Sequence, residues 1–363
     1  MRKIRQWINK HEKVRYLLKV LHQMNNEEFV HVVNHMYDTD GKISVMRIMK
    51  YGKENKGKMI YHIHYDEYVG FFAIFRRVLM HMYYADKYGL IPFVSWGEQS
   101  PYYEKDGVNG CTNVWEYYFE QMDGLTEDDI DQSYAVVPMK QGVFFDEDVK
   151  NDEYNVDERY IELLGGIAGK YIHVKKNIEN VIRDDIIRLL QGKKTLGVQI
   201  RMGSMMLAPD NHPIVPTLED YINEIHEAMI IGNFEQIFLA SDDKRAVNAL
   251  TKEFGDKVIF YQDVARVESN TEAMLQNNPR GKHNFLCGLE VLRDVYTLVW
   301  ADGLVAGLSQ VSICARILKK SAGKEYLVQK IVDKGINHNN FVLTKKNIRK
   351  QLGGKADELR QEK

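Results

Sequence analysis

From Thr195 to Lys320, short apolar runs alternate with amphipathic helical stretches. No other feature of the chain constrains the fold as strongly. Thr195 to Ile200 reads as a strand that ends on Arg201. A helix from Leu218 to Ile231 follows, with Thr217 placed to cap it. Gln236 to Ala240 is the next strand, and Ser241, Asp242 and Asp243 open a helix from Lys244 to Phe254 that Gly255 stops. Lys257 to Tyr261 is a third strand. After a long polar loop (Gln262 to His283), Leu289, Leu292, Val295 and Val299 mark a helix from Asn284 to Ala301. The last strand, Gly303 to Gly307, runs through Leu308 and Ser309 into a helix from Gln310 to Lys320. Strands that alternate with helices predict a parallel sheet with right-handed crossovers. Such sheets bind ligands beyond the carboxyl ends of their strands. Arg201 supplies a permanent cation there, and the helix start at Ser309 supplies a hydroxyl and free amide N–H groups, a natural anion site. Together they predict a pocket for a diphosphate.

The first half carries a second such pattern. Met59 to Tyr65 is a strand, and Gly70 precedes a helix from Phe71 to Tyr88. Its apolar face holds Ile74, Phe75, Val78, Leu79, Met82 and Tyr83. Gly89 ends it, and Leu90 to Trp96 is the next strand, completing a βαβ unit. Asn113 to Phe119 reads as a short aromatic helix, residues 122–150 as loops and short strands, and Val174 to Gln191 as a helix. Residues 1–55 read as helix and then polar chain, with a turn at Asp38 to Lys42. The expected division is 1–175 for N-terminal helices and a first Rossmann-like domain, 176–330 for a second that carries the diphosphate pocket, and 331–363 for a charged tail.

The totals agree with two α/β domains. Among 363 residues, 44% are hydrophobic, enough for sizeable cores. A net charge of −2 gives no field favouring nucleic acid as a partner. Three widely spaced cysteines make neither a disulfide framework nor a zinc knuckle, which points to a reducing compartment. No run is long and apolar enough to cross a bilayer, and the basic start Met1 to Trp7 lacks the core of a signal peptide. The expectation is a cytoplasmic protein. The helix from Ile4 to Met24, with Trp7 and Leu18 beside Lys10, Lys13 and Lys19, either packs on its own domain or touches a membrane surface peripherally.

Several segments resemble the α-1,6-fucosyltransferases of the nodulation and N-glycan core type. These are Tyr171-Ile172-His173, the strand to Arg201, His212-Pro213-Ile214, and Phe238 to Asp243. A final motif runs from Asp294-Val295-Tyr296 through Ala301 to Val305, and on to Ser309-Gln310-Val311. They follow in the family's order and at similar spacing over roughly Tyr171 to Lys320. The chain departs from the pattern at Gln199, where the family has His, at Met202, where it has a second Arg, and at Gly203 to Met206. Only Gly70 remains of the family's richer glycine turn. The resemblance implies a GT-B fold, two Rossmann-like domains facing across a cleft, with 1–175 as the acceptor side and 176–330 as the nucleotide-sugar domain. It also implies a bacterial, metal-independent enzyme without a cofactor, moving L-fucose from GDP-fucose to an oligo- or polysaccharide hydroxyl with inversion. Two alternatives stand beside it: another nucleotide sugar as donor, or a non-catalytic nucleotide-sugar-binding protein.

Each candidate residue has a functional and an ordinary structural reading. Arg201 grips the diphosphate with its fork, or pairs with a surface carboxylate. Ser309, Gln310 and Val311 meet the diphosphate or sugar, or form a plain N-cap. Gly70 and Gln199 join the donor site by resemblance. Asp294 would accept from guanine N1–H and the exocyclic amine, again by resemblance, or is a solvated helix aspartate beside Arg293. Asp242 and Asp243 meet the nucleoside, or cap the following helix. Asp210 and then His212 are candidates for the base that accepts the acceptor's proton. The aromatic cluster Trp96, Tyr102, Tyr103, Trp115, Tyr117, Tyr118 and Phe119 either lines a sugar groove or packs a core.

Overall fold

The computed structural model describes residues 7, 11, 14, 18, 48–139, 149–150, 153–154, 156–207, 209, 211–268 and 280–338. The expected turn at Asp38 to Lys42, the charged tail after Thr344, and all but four positions of the Ile4 to Met24 helix lie outside them. The chain divides into two compact units: Met1–Lys150 with Glu158–Glu179, and Asn151–Asp157 with Asn180–Lys363.

In the first unit, strands β1 (Ile60–Tyr65), β2 (Ile91–Trp96) and β3 (Val136–Pro138) form a parallel sheet in the order β2-β1-β3. Ile60 pairs with Ile91 on one side and Val136 on the other. Helix α1 (Phe71–Lys87) makes the crossover and buries Phe71, Phe72, Ile74, Phe75, Val78, Leu79 and Met82. Gly89 has φ +65°, a left-handed turn that costs glycine nothing and returns the chain to β2. The aromatic stretch forms a single 3-10 turn, Val114–Tyr117, held by Asn113. The Asn113 side chain accepts from Trp96 N at 2.9 Å and donates to Val94 O at 2.8 Å. Trp96, Tyr102, Trp115, Tyr117, Tyr118 and Phe119 are all buried, so the core-packing alternative describes them. Helix α2 (Glu127–Gln132), started by a Thr126–Asp129 capping box, lies where loops and short strands were expected. Helix α3 (Glu158–Tyr171) packs on α1 and was also unexpected. Gly165, Gly166 and Gly169 weaken its intrinsic helix signal, and tertiary burial of Tyr160, Ile161 and Leu164 overrides them. Helix α4 (Lys176–Leu190) contains the boundary between the units.

The second unit has five parallel strands: β4 (Thr195–Ile200), β5 (Gln236–Ser241), β6 (Val258–Ile259), β7 (Gly303–Gly307) and β8 (Gln329–Val332). Their order is β6-β5-β4-β7-β8, the doubly wound arrangement of a Rossmann sheet. Two parallel α/β units are the architecture that the GT-B reading requires. Strand β6 is shorter than expected: Lys257 belongs to the 3-10 turn Gly255–Lys257, and pairing with β5 stops at Ile259. Strand β8 went unread because its polar Gln329 and Lys330 break the apolar run. Helices α5 (Leu218–Gly232), α6 (Lys244–Phe254), α7 (His283–Trp300) and α8 (Gln310–Ser321) supply the crossovers, and Leu196, Val198, Ile200, Ile237, Leu239 and Val305 fill the core. At Gly307 a Cβ would lie 2.1 Å from Tyr221 Oη, so any side chain there would collide with α5. Lys319 on α8 donates to Val299 O and Ala301 O, at 2.9 and 2.8 Å, capping the end of α7 from outside. Burial lowers this ammonium's pKa to about 8.

Candidate functional site

The strand order reverses between β4 and β7, and the carboxyl ends of these strands carry the first part of the site. Ser309 caps α8: its hydroxyl accepts from Ser312 N, and the Ser312 hydroxyl accepts in return from Ser309 N, both at 3.1 Å. The same Ser309 hydroxyl donates to Gln199 Oε1 at 3.0 Å, linking β4 to the helix start across the reversal point. Both are buried. Gln310, next in the helix, donates its amide to Glu153 O at 3.0 Å and keeps Oε1 buried without a partner. Val311 is half-buried.

Arg201, just past β4, pairs with Asp242, just past β5. That is the ion pair foreseen as its structural alternative. Only Nη1 is engaged, so Nε and Nη2 are uncommitted on a side chain 39% exposed. The guanidinium is thus held by one edge and offers the other. Asp242 also accepts from Met202 N at 3.1 Å. Asp243 has a different role. It caps α6, accepting from Arg245 N at 2.8 Å and Arg245 Nε at 2.9 Å, and it accepts from Gly203 N at 3.2 Å. Burial alone would raise its pKa, but these donors win and hold it below the usual carboxylate range. The capping alternative therefore describes Asp243.

His212 lies in an antiparallel pairing with the segment after β8, where its carbonyl accepts from Asn337 N at 2.8 Å and its ring centroid lies 6.0 Å from that of Tyr154. Asp210 lies outside the described residues. Gly70 is in the first unit, at the uncapped start of α1, with φ −62° and open space where a Cβ would stand. Nothing in its surroundings requires glycine.

Asp294 overturns its structural alternative. It is not solvated: 8% exposed, it sits in α7 with Oδ1 sealed from water and without a hydrogen-bond partner. Burial pushes its pKa up to about 7, opposed by Arg266 and Arg293 and reinforced by Glu290 and Asp263. Arg293 does not pair with it. That guanidinium turns to Asp185 and Asp263, each at 2.7 Å, and stacks 3.9 Å over the Tyr261 ring.

Asp294 belongs to a buried polar line along α7: His283, Cys287, Glu290, Asp294 and Thr297, at steps of four, three, four and three. Arg280 serves its upper part, meeting Glu290 at 2.5 Å, His283 Nδ1 at 3.0 Å and Cys287 Sγ at 3.5 Å. Glu290 also accepts from Ala265 N at 3.2 Å. The next residue, Arg266, is tied by Nε to Ser241 O at 3.1 Å and by Nη1 to Tyr261 O at 2.9 Å and Val264 O at 3.3 Å. Its Nη2 is buried without a partner. Neither Arg266 nor Glu290 was read from the sequence. The signal available was the four-three-four-three spacing of polar residues in a helix otherwise marked by its apolar ones.

A cavity of about 320 Å³ lies beside Arg293 and is lined also by Asp185, Arg188, Tyr261 and Asp263. Another, of about 280 Å³, lies by Lys193 and Glu235 at the amino ends of β4 and β5, away from the Arg201 and Ser309 pair. Among the described residues, no group of three or more His, Cys, Asp or Glu could hold a metal ion, and no helix is long and apolar enough to cross a membrane.

No protein-family profile matches the chain, and no curated protein matches its sequence. In structure it is similar to several fucosyltransferases. With the NodZ alpha-1,6-fucosyltransferase co-crystallized with GDP it shares 14% identity and a TM-score of 0.47, covering 73% of this chain and 92% of that one. For fucosyltransferase NodZ from Bradyrhizobium the values are 13% and 0.45, over 74% and 93%. For POFUT1 in complex with GDP they are 12% and 0.42, over 76% and 98%.

Proposed function

We propose that the protein is a glycosyltransferase that uses GDP-fucose and passes L-fucose to a carbohydrate hydroxyl with inversion and without a metal ion. One observation carries the reading: the buried carboxylate of Asp294 with an oxygen left unpaired, in the same parallel α/β unit as Arg201 and the start of α8. A buried carboxylate without a partner is costly, by about 1–3 kcal/mol or more. Guanine, with N1–H and an exocyclic amine side by side, supplies the missing donors.

Each part then has a task. The uncommitted edge of Arg201 and the first amides of α8 receive the diphosphate and stabilise its charge as the sugar's C1–O bond breaks. Ser309 and Gln199, joined by their hydrogen bond, fix the spacing between those two groups. The acceptor oxygen bonds to C1 from the face opposite the leaving GDP, and its proton passes to a base, for which Asp210 and His212 are the candidates.

A panel of nucleotide sugars with detection of released nucleotide tests this. Release of GDP from GDP-fucose, on addition of a carbohydrate acceptor, is the expected result. Turnover only with another sugar nucleotide replaces the donor. Tight GDP binding with no turnover over a broad acceptor set identifies a binding protein.

A further inference from the structure

Charged groups of both signs are left incomplete in one neighbourhood of the second unit, where Arg293 Nε too is buried without a partner. Asp294 keeps an acceptor oxygen free, and Arg266 keeps a donor nitrogen free. They are not bonded to each other, although each shifts the other's titration. Arg266 cannot swing to close the gap. Three backbone carbonyls, from Ser241, Tyr261 and Val264, hold its Nε and Nη1, and the guanidinium also lies 5.1 Å over the Phe260 ring. Only Nη2, with its two N–H groups, is left to bond elsewhere. Orphaned buried ions are rare in folded proteins, and a complementary pair of them calls for a molecule with donors at one end and an acceptor at the other.

We infer that Arg266 is a second reader of the nucleotide base: its Nη2 donates to guanine O6 while Asp294 accepts from N1–H and the 2-amine. This rests on the GDP-sugar reading above. The edge of guanine runs amine, N1–H, O6, so a carboxylate and a guanidinium side by side match it from end to end. Adenine fails at both ends. Its 6-amine would face the donor Nη2, and its bare N1 would face the carboxylate oxygen. The two residues therefore select guanine by attraction and reject adenine by leaving buried charges unpaired. Both free atoms are sealed from water, so the base must displace what covers them.

The test is calorimetric binding of GDP, ADP, IDP and 6-thio-GDP, whose sulfur is a poor acceptor, to the wild-type protein and to Arg266→Lys. Wild type should prefer GDP to ADP by a factor of a hundred or more, and lose about ten- to a hundredfold with 6-thio-GDP. In Arg266→Lys the loss on going to 6-thio-GDP should vanish and the preference over ADP should shrink. The penalty for IDP, which lacks only the 2-amine read by Asp294, should persist. An unchanged GDP preference in the folded variant, or equal wild-type affinity for GDP and 6-thio-GDP, overturns the inference. The wild-type comparison decides the matter even if the variant does not fold. Absence of any GDP binding by wild type defeats the donor reading itself, whereas tight GDP binding with an indifferent Arg266 defeats only this step.

Discussion

The two units bury polar groups differently. In the first, Arg76 is buried and two histidines are held beside hydroxyls. His81 Nδ1 meets Tyr61 Oη at 2.8 Å, and His62 Nε2 meets Ser95 Oγ at 2.7 Å. Burial lowers the pKa of each histidine to about 4, with His64 adding to the effect at His62. Around them the chain packs aromatic rings: Phe71 against Trp96, Tyr102 and Tyr118, and Trp115 against Phe119 at 4.4 Å. The second unit buries more ions, among them Asp185, Asp243, Glu290, Arg293 and Asp294, and Asp294 and Arg266 each keep a buried atom short of a partner. Neutral, bonded groups specify a core. A buried ion with unused bonding capacity is a candidate ligand contact.

The sharpest way to break this contrast is Arg201→Ala. Turnover with GDP-fucose should fall by about a hundred- to a thousandfold, as for other donors to a developing anion. The thermal midpoint should hardly move, because the residue is partly exposed and its ion pair contributes little. Steady-state rates and calorimetric scans check both. Trp115→Ala should do the reverse, costing about 3–5 kcal/mol of stability in denaturant titrations and leaving the affinity for GDP unchanged.

Asp294→Asn is intermediate. GDP affinity, read by calorimetry, should drop roughly tenfold or more, while the thermal midpoint holds or rises because a buried carboxylate with a missing partner has been neutralised. Wild-type affinity for GDP should itself climb as pH rises through about 7, where Asp294 becomes a carboxylate, with proton release on binding.

The pH dependence of stability should differ in sign between the units. Asp294 is raised from 3.8 to about 7, so its contribution is present below pH 3.8 and is lost as pH rises through 7. His62 and His81 are lowered from 6.5 to about 4, so theirs is present above pH 6.5 and is lost as pH falls through 4. Hydrogen exchange, corrected for intrinsic rates, should show β1 and α1 loosening from pH 6.5 towards 4 while α7 tightens. The smallest effect is expected from metal removal: excess EDTA should leave turnover unchanged.

Much of this contrast was legible in the chain, and the illegible part has a physical cause. Strand and helix alternation placed β4, β5, β7 and their helices within a few residues, because burial on both faces of a parallel sheet leaves long apolar runs. Ser309 was readable as a cap because its hydroxyl acts on residues three positions away. Asp294 was not readable as buried, since Arg293-Asp294 looks like a surface ion pair. The partners that turn Arg293 aside, Asp185 and Asp263, are 108 and 30 residues distant. Asp242 and Asp243 are neighbours of identical chemistry, yet one holds Arg201 and the other caps a helix, according to which way each side chain leaves the backbone. Arg266 was hidden for a similar reason: three carbonyls fix it, and carbonyls carry no residue-specific mark.

The contact between Gln199 and Ser309 spans 110 residues. Its strand, β4, comes first in its unit but ends up in the middle of the sheet, with β5 on one side and β7 on the other. During synthesis β5 can dock soon after it emerges, whereas the opposite flank of β4 stays bare until the ribosome has delivered Gly303 and beyond. A nascent chain stalled before that point presents an open apolar strand edge and invites association with its neighbours.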